Sequence, residues 1–132
     1  PVSVNKLQDT SAARFAESVE TAHSAHSVHA KISEALGITA EPLRIDSQCK
    51  YAAVARGDVA IYLRYPKDDV YREKIWDHAA GLIIVEEAGG TVTDIFGKPL
   101  NFTIGRKLQE NRGVVATNGA VHDKIIQVIG QL

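Results

Sequence analysis

Two hydrophobic periods take turns along this chain, and their alternation constrains its fold more than any other feature. Val28, Ile32, Ala35 and Leu36 fall at i, i+4, i+7 and i+8, one stripe of an amphipathic helix that Gly37 can end in the left-handed conformation. The spacing predicts a helix over 25–36. Val59, Ile61 and Leu63 then alternate with Ala60, Tyr62 and Arg64, a period of two that predicts a strand and sets Arg64 on the Tyr62 face. Between them, Leu43-Arg44-Ile45 reads as a short strand, and Ser47 can cap a helix running through Cys49, Tyr51 and Ala55 to Gly57.

The same alternation continues to the end. A charged loop over 65–76 leads into a helix expected from Asp77, apolar nearly all round through Ala79-Ala80-Gly81-Leu82-Ile83-Ile84-Val85, hence expected to be buried on more than one side and stopped by Gly89-Gly90. Thr91–Asp94 and Gly113–Thr117 are strand candidates, and Val121, Ile125, Val128, Ile129 and Leu132 form the stripe of a last helix. Strands alternating with helices predict an α/β fold, a mostly parallel sheet flanked by helices on both faces.

Composition narrows the function classes. With 15 Lys+Arg against 16 Asp+Glu, the net charge of −1 gives no overall attraction to nucleic acid or an anionic membrane. Cys49 is the single cysteine, which excludes an internal disulfide and a thiolate zinc site. The longest apolar run, seven residues, is far short of a membrane span. The expectation is a soluble, cytoplasmic domain over 14–132, preceded by a polar, aperiodic arm or linker over 1–13. Pro1 stands where an initiator methionine would, which suggests a processed chain or part of a longer one.

Several side chains can carry chemistry, each with a plainer role beside it. Asp77 ahead of a helix reads first as an N-cap, and beside that as a ligand for a hard cation such as Mg²⁺, which takes one or two protein carboxylates and completes its shell with phosphate and water. Lys50 on a helix turn and Arg64 at a strand end read as solvated charges or as fixed cations for a phosphate. Ser47 is a cap that can also sit at an anion site, since free N–H groups at a helix start bind anions. His23, His26 and His29 do not converge on a metal: i and i+3 share a face, but i+6 lies round the cylinder. His26 and His29 read as surface residues. Glu86 and Glu87 read as helix surface and internal polar contacts.

Trp76-Asp77-His78-Ala79-Ala80-Gly81, continued by Ile84-Val85-Glu86-Glu87-Ala88-Gly89-Gly90, resembles a signature of the lithium-sensitive, Mg²⁺-dependent phosphomonoesterases of the inositol monophosphatase superfamily. Its flanks, Glu17-Ser18-Val19-Glu20, Ala22-His23-Ser24, Asp46-Ser47-Gln48, Lys50-Tyr51, Tyr62-Leu63-Arg64 and Glu73-Lys74-Ile75, resemble the 3'(2'),5'-bisphosphate nucleotidase branch. The resemblance runs from about Phe15 to the end. It implies Asp77 as a catalytic metal ligand, and His23, Ser47, Lys50 and Arg64 as contacts to a nucleotide such as adenosine 3',5'-bisphosphate or AMP. It also implies Mg²⁺ as cofactor, inhibition by Li⁺ and a place in sulfate assimilation. The superfamily's Asp-Pro-(Ile/Leu)-Asp-Gly-(Thr/Ser) string does not occur here. The chain is therefore expected to be the C-terminal half of a two-domain phosphatase, its partner the N-terminal domain of the same enzyme, and to be inactive alone. An inositol phosphate phosphatase and a non-catalytic nucleotide-binding module are the competing readings.

Overall fold

The computed structural model describes residues 2–18, 23–66 and 68–132, with the side chains of 23–26 left outside the description. Its elements are β1 (Phe15–Glu17), α1 (His23–Leu36), β2 (Leu43–Arg44), α2 (Cys49–Ala55), β3 (Ile61–Arg64), α3 (Ala79–Glu87), β4 (Thr91–Thr93), β5 (Val114–Thr117) and α4 (His122–Ile129). Single 3-10 turns stand at Thr10–Ala12 and Ile75–Asp77. The strands lie in the order β2-β1-β3-β5-β4. β1 pairs parallel with both β2 and β3, while β5 runs antiparallel between β3 and β4. Four of the five strands thus share one direction, and the sheet is mixed.

The period of two in the strands divides the core into two layers. Phe15, Ile61, Leu63 and Val115 point to the face covered by Ile32 and Leu36 of α1 and by Ile125, Val128 and Ile129 of α4. Ala16, Tyr62, Val92, Val114 and Ala116 point to the other, covered by Tyr51 and Val54 of α2 and Val85 of α3. Because α1 and α2 lie on opposite faces, the chain leaves β1 on one side and returns to β3 on the other. That reversal opens a crevice at the carboxyl ends of adjacent parallel strands, where open α/β sheets bind ligands. Ser18, Asp46 and Arg64, which follow or end β1, β2 and β3, all reach it.

Several local expectations are corrected. The first helix begins at His23 rather than residue 25. α3 does not start at Asp77: that residue closes the preceding 3-10 turn, and the N-cap position is His78, whose side chain makes no capping bond. Nor is α3 buried on several sides, since Ile83 and Ile84 are exposed while Gly81, Val85 and Ala88 face the core. Its uniform apolarity hid the direction of the buried stripe. His29 is buried, not at the surface: Nδ1 lies 2.8 Å from Glu17 Oε2 and Nε2 3.1 Å from the Leu63 carbonyl, and Phe15 stacks on the ring. Glu86 and Glu87 are exposed. Ahead of β1, the Val4 amide donates to the Ala88 carbonyl at 3.0 Å, and Asn118 Nδ2 donates to Asn5 Oδ1 and the Leu7 carbonyl at 2.7 and 2.8 Å. No helix among the described residues is long and apolar enough to cross a membrane.

α2 and α3 meet through Gly81. A Cβ there would stand 2.2 Å from Tyr51 Cδ2 and 2.3 Å from Cγ, inside the ring's contact surface. Gly81→Ala gains about 1 kcal/mol of helix propensity, but overpacking a filled core costs about 1–3 kcal/mol; at so short an approach the clash dominates. We expect a net loss of about 1–2 kcal/mol in urea unfolding. An unchanged midpoint would show that the two helices separate freely.

Candidate functional site

A cleft of about 230 Å³ opens at the carboxyl ends of β1, β2 and β3, lined by Ser18, Asp46, Ser47, Gln48, Lys50, Tyr51, Tyr62, Arg64, Asp77 and His78. Four of the residues singled out from sequence, Ser47, Lys50, Arg64 and Asp77, converge there from separate segments. The fifth, His23, begins α1, but its side chain lies outside the described residues, as does that of His26.

Two of the four sit differently from expectation. Ser47 is not a side-chain cap: it adopts φ +64°, Gln48 holds the N-cap position without a capping bond, and the Ser47 hydroxyl instead points toward Cys49 Sγ, 3.7 Å away. This left-handed residue turns the chain sharply from β2 into α2 and leaves Ser47 exposed at the cleft. Lys50 is not a solvated surface charge either. Its side chain is 4% exposed, with Nζ 3.4 Å from the Ile45 carbonyl and 5.6 Å from the centre of the Tyr62 ring. Burial lowers its ammonium below the ordinary value, the Asp46 charge pulls it back up, and Arg64 reinforces the depression.

Arg64 ends β3 with its side chain 41% exposed, yet its Nε is anchored on Glu73 Oε1 at 2.7 Å. Glu73 is 3% exposed. The same oxygen lies 2.8 Å from His78 Nε2, and His78 Nδ1 lies 2.5 Å from the Tyr51 hydroxyl. Burial works against the Glu73 charge, but the His78 hydrogen bond and Arg64 outweigh it and hold the carboxyl below its ordinary range. Burial opposes the Arg64 charge too, and Glu73 and Tyr62 overcome it, so the guanidinium is raised. Burial pushes the Tyr62 hydroxyl up to about 12 against the pull of Arg64, and the Tyr51 hydroxyl well above its ordinary value. Both phenols stay neutral and serve as fixed dipoles.

Asp77 is half-buried on the cleft wall, and its carboxylate makes no hydrogen bond or ion pair among the described residues. Gln48 Nε2 donates to the Asp77 backbone carbonyl and so fixes the turn that presents it. The buried Oε1 of Gln48 has no partner among the described residues. The Asp77 carboxylate suits a hard, hydrated cation, whereas the Gln48 oxygen faces the backbone of Gly81 in the contact of α2 with α3. Among the described residues no three His, Cys, Asp or Glu side chains group to hold a metal, so this chain offers one corner of such a site.

Glu73, Tyr51 and His78 fall inside the motif segments of the sequence but carry no expected site role there. Glu73 sits in a charged, aperiodic loop where a buried acid looks like any other. A signal did exist for the other two: Tyr51 precedes Ala52-Ala53, and His78 precedes Ala79-Ala80-Gly81. Large polar rings beside runs of small residues mark helices that approach closely around a polar pair.

The Glu73 carboxylate also sets a pH dependence. Its native value lies below the ordinary 4.5, so its contribution to stability is complete above that value and is lost as the pH falls through the native one. Unfolding free energy between pH 3 and 6 should therefore fall more steeply on acidification in the wild type than in Glu73→Gln. Parallel curves would mean that the carboxyl titrates alike in both states.

The inositol monophosphatase family model matches residues 1–132 of this chain. A 3'(2'),5'-bisphosphate nucleotidase of Schizosaccharomyces pombe is 48% identical over 126 residues, covering 96% of this chain and 36% of that protein. One from Dictyostelium discoideum is 50% identical over 129 residues, covering 98% and 39%. The chain thus spans little more than a third of the length of the curated relatives it matches. Among solved structures, an inositol monophosphatase from Anabaena superposes with a TM-score of 0.75 at 24% identity, covering all of this chain and 48% of that one, a likeness of fold.

Proposed function

The chain belongs to the inositol monophosphatase family, and from that premise we propose that it is the C-terminal α/β domain, over 14–132, of a 3'(2'),5'-bisphosphate nucleotidase. The whole enzyme removes the 3'-phosphate of 3'-phosphoadenosine 5'-phosphate, giving AMP and phosphate. One observation carries the reading: Ser47, Lys50, Arg64 and Asp77, scattered over 31 positions of sequence, line one cleft. The relatives nearly half identical to the chain supply the substrate class by their name.

The cofactor in this reading is Mg²⁺, which when bound polarises phosphoryl oxygens and provides an activated water. Asp77 is the carboxylate this chain contributes to it, with lithium sensitivity following from that shared site. The remaining metal-binding acids belong to the N-terminal domain. This chain's own work is recognition. The phosphate that is not cleaved needs fixed cations away from the reacting one, and Lys50 and Arg64, held by buried partners, meet it without first being ordered. At an effective dielectric of about 20, two unit charges about 4 Å apart interact by about 4 kcal/mol. One such contact outweighs most steric selectivity. Ser47, exposed at the rim, adds a hydroxyl, and His23 a ring for the base or phosphate.

Two substitutions in the whole enzyme test these roles. Asp77→Asn keeps the shape but loses the charge, so kcat should fall at least a hundredfold, on the order of 3 kcal/mol, while AMP affinity changes little. Near-wild-type turnover at ordinary Mg²⁺ would remove Asp77 from the metal site. Lys50→Ala or Arg64→Ala should raise KM for 3'-phosphoadenosine 5'-phosphate by roughly ten- to a hundredfold, the loss of one charge-assisted hydrogen bond, and spare inositol 1-phosphate. Equal losses on the two substrates would place these cations on the reacting phosphate or in the fold.

A further inference from the structure

We propose that Glu73, which does not line the cleft, is the positioning residue that makes Arg64 and Lys50 one recognition unit and sets the preference for a doubly phosphorylated ligand. The inference rests on the bisphosphate reading above and deepens it. Its ground is a chain of bonds whose directions are forced. A carboxylate oxygen only accepts, so Glu73 Oε1 takes an N–H from His78 Nε2 at 2.8 Å, and the same oxygen forms an ion pair with Arg64, 2.7 Å from Nε. With its proton on Nε2, His78 accepts at Nδ1 from the Tyr51 hydroxyl, 2.5 Å away.

From Tyr51 the chain runs on to Lys50. The Tyr51 ring meets the Tyr62 ring edge-on at 4.9 Å, and Tyr62 lines the same cleft as Arg64, two residues on. Lys50, next to Tyr51 on α2, holds its ammonium 5.6 Å from the same Tyr62 ring. Both cations therefore stand at the two ends of one chain of contacts, from Arg64 through Glu73, His78, Tyr51 and Tyr62 to Lys50, and Glu73 is its only anion.

Two physical effects follow. Anchoring Nε fixes the plane of the Arg64 fork, so its outer nitrogens face the cleft in one orientation instead of sampling rotamers. The Glu73 charge behind the fork also offsets the mutual repulsion of Lys50 and Arg64 from the side a ligand does not occupy. A ligand with one phosphate, bound at the Asp77 corner, makes little use of that unit. A ligand with a second phosphate depends on it.

The test measures kcat/KM for 3'-phosphoadenosine 5'-phosphate and inositol 1-phosphate in the whole enzyme, comparing wild type with Glu73→Gln, Glu73→Asp, Arg64→Ala and the Arg64→Ala/Glu73→Gln double variant. Glu73→Gln should lower the bisphosphate-to-monophosphate ratio about tenfold, through KM for the bisphosphate rather than kcat. Glu73→Asp, which keeps the charge on a shorter stem, should recover part of the ratio. The double variant should show the ratio of Arg64→Ala alone, since Glu73 acts through Arg64. A Glu73 that only supports the fold lowers turnover on both substrates by one factor and leaves the ratio intact, and that result overturns the proposal. If Glu73→Gln does not fold, Glu73→Asp carries the same criterion: a lowered ratio supports the role and an unchanged one overturns it. A wild-type preference for the bisphosphate that no Glu73 variant alters sinks this inference alone, whereas a wild type without that preference sinks the functional reading and this inference with it.

Discussion

Core and cleft share the rings of Tyr51 and Tyr62, and the arrangement of both depends on how Tyr51 is packed. Its ring is 1% exposed, pressed against the bare backbone of Gly81 and the edge of Tyr62, while its hydroxyl reaches His78. A phenol suits this position because it combines a large apolar body with one polar end. The body sets the spacing of α2 against α3, and the end hydrogen-bonds the His78 ring that leads to Glu73. A phenylalanine would fill the same space and leave His78 Nδ1 unsatisfied in the interior, where an unpaired polar atom costs on the order of 1–3 kcal/mol.

The parts of the fold that were legible in the sequence were those with a clean period. The alternation around Ile61 and Leu63 located β3 and its two faces, and the stripe from Val28 to Leu36 located α1 to within two residues. What escaped was the direction of burial where apolarity is continuous. α3 has no polar face to mark its outside, so nothing in its composition says that Ile83 and Ile84 meet solvent. The opposite failure befell Lys50, whose charge suggests exposure although neighbouring aromatic and carbonyl groups make its burial tolerable. Pairing direction was equally hidden. Val114-Val115-Ala116 is an unbroken apolar run in a strand buried throughout, and that pattern is the same whether the strand runs with its neighbours or against them.

The cleft residues were legible by a different route. No period links Ser47, Lys50, Arg64 and Asp77; the motif resemblance grouped them, and the topology explains the grouping. Three parallel strands end side by side, and the reversal between β1 and β3 leaves the space above them uncovered by helices. Asp77 is the exception, since it comes from a 3-10 turn rather than a strand end. The Gln48 amide grips its backbone carbonyl, so a helix that follows β2 controls the placement of an acid nearly thirty residues later. Such long-range backbone bonds have no local sequence trace.

The place of β5 has a consequence for the order in which the molecule can assemble. It is the last strand in the chain but lies inside the sheet, with β3 on one side and β4 on the other. Until residues 114–117 have been synthesised, β3 presents an open edge and β4 has no partner strand, so the two portions of the sheet are unjoined. During translation the nascent chain therefore holds a half-built sheet through most of its length, dependent on chaperones or on its own helices to cover the exposed edge. Only when β5 is in place are the two portions joined, with α4 after it over the face that α1 also covers.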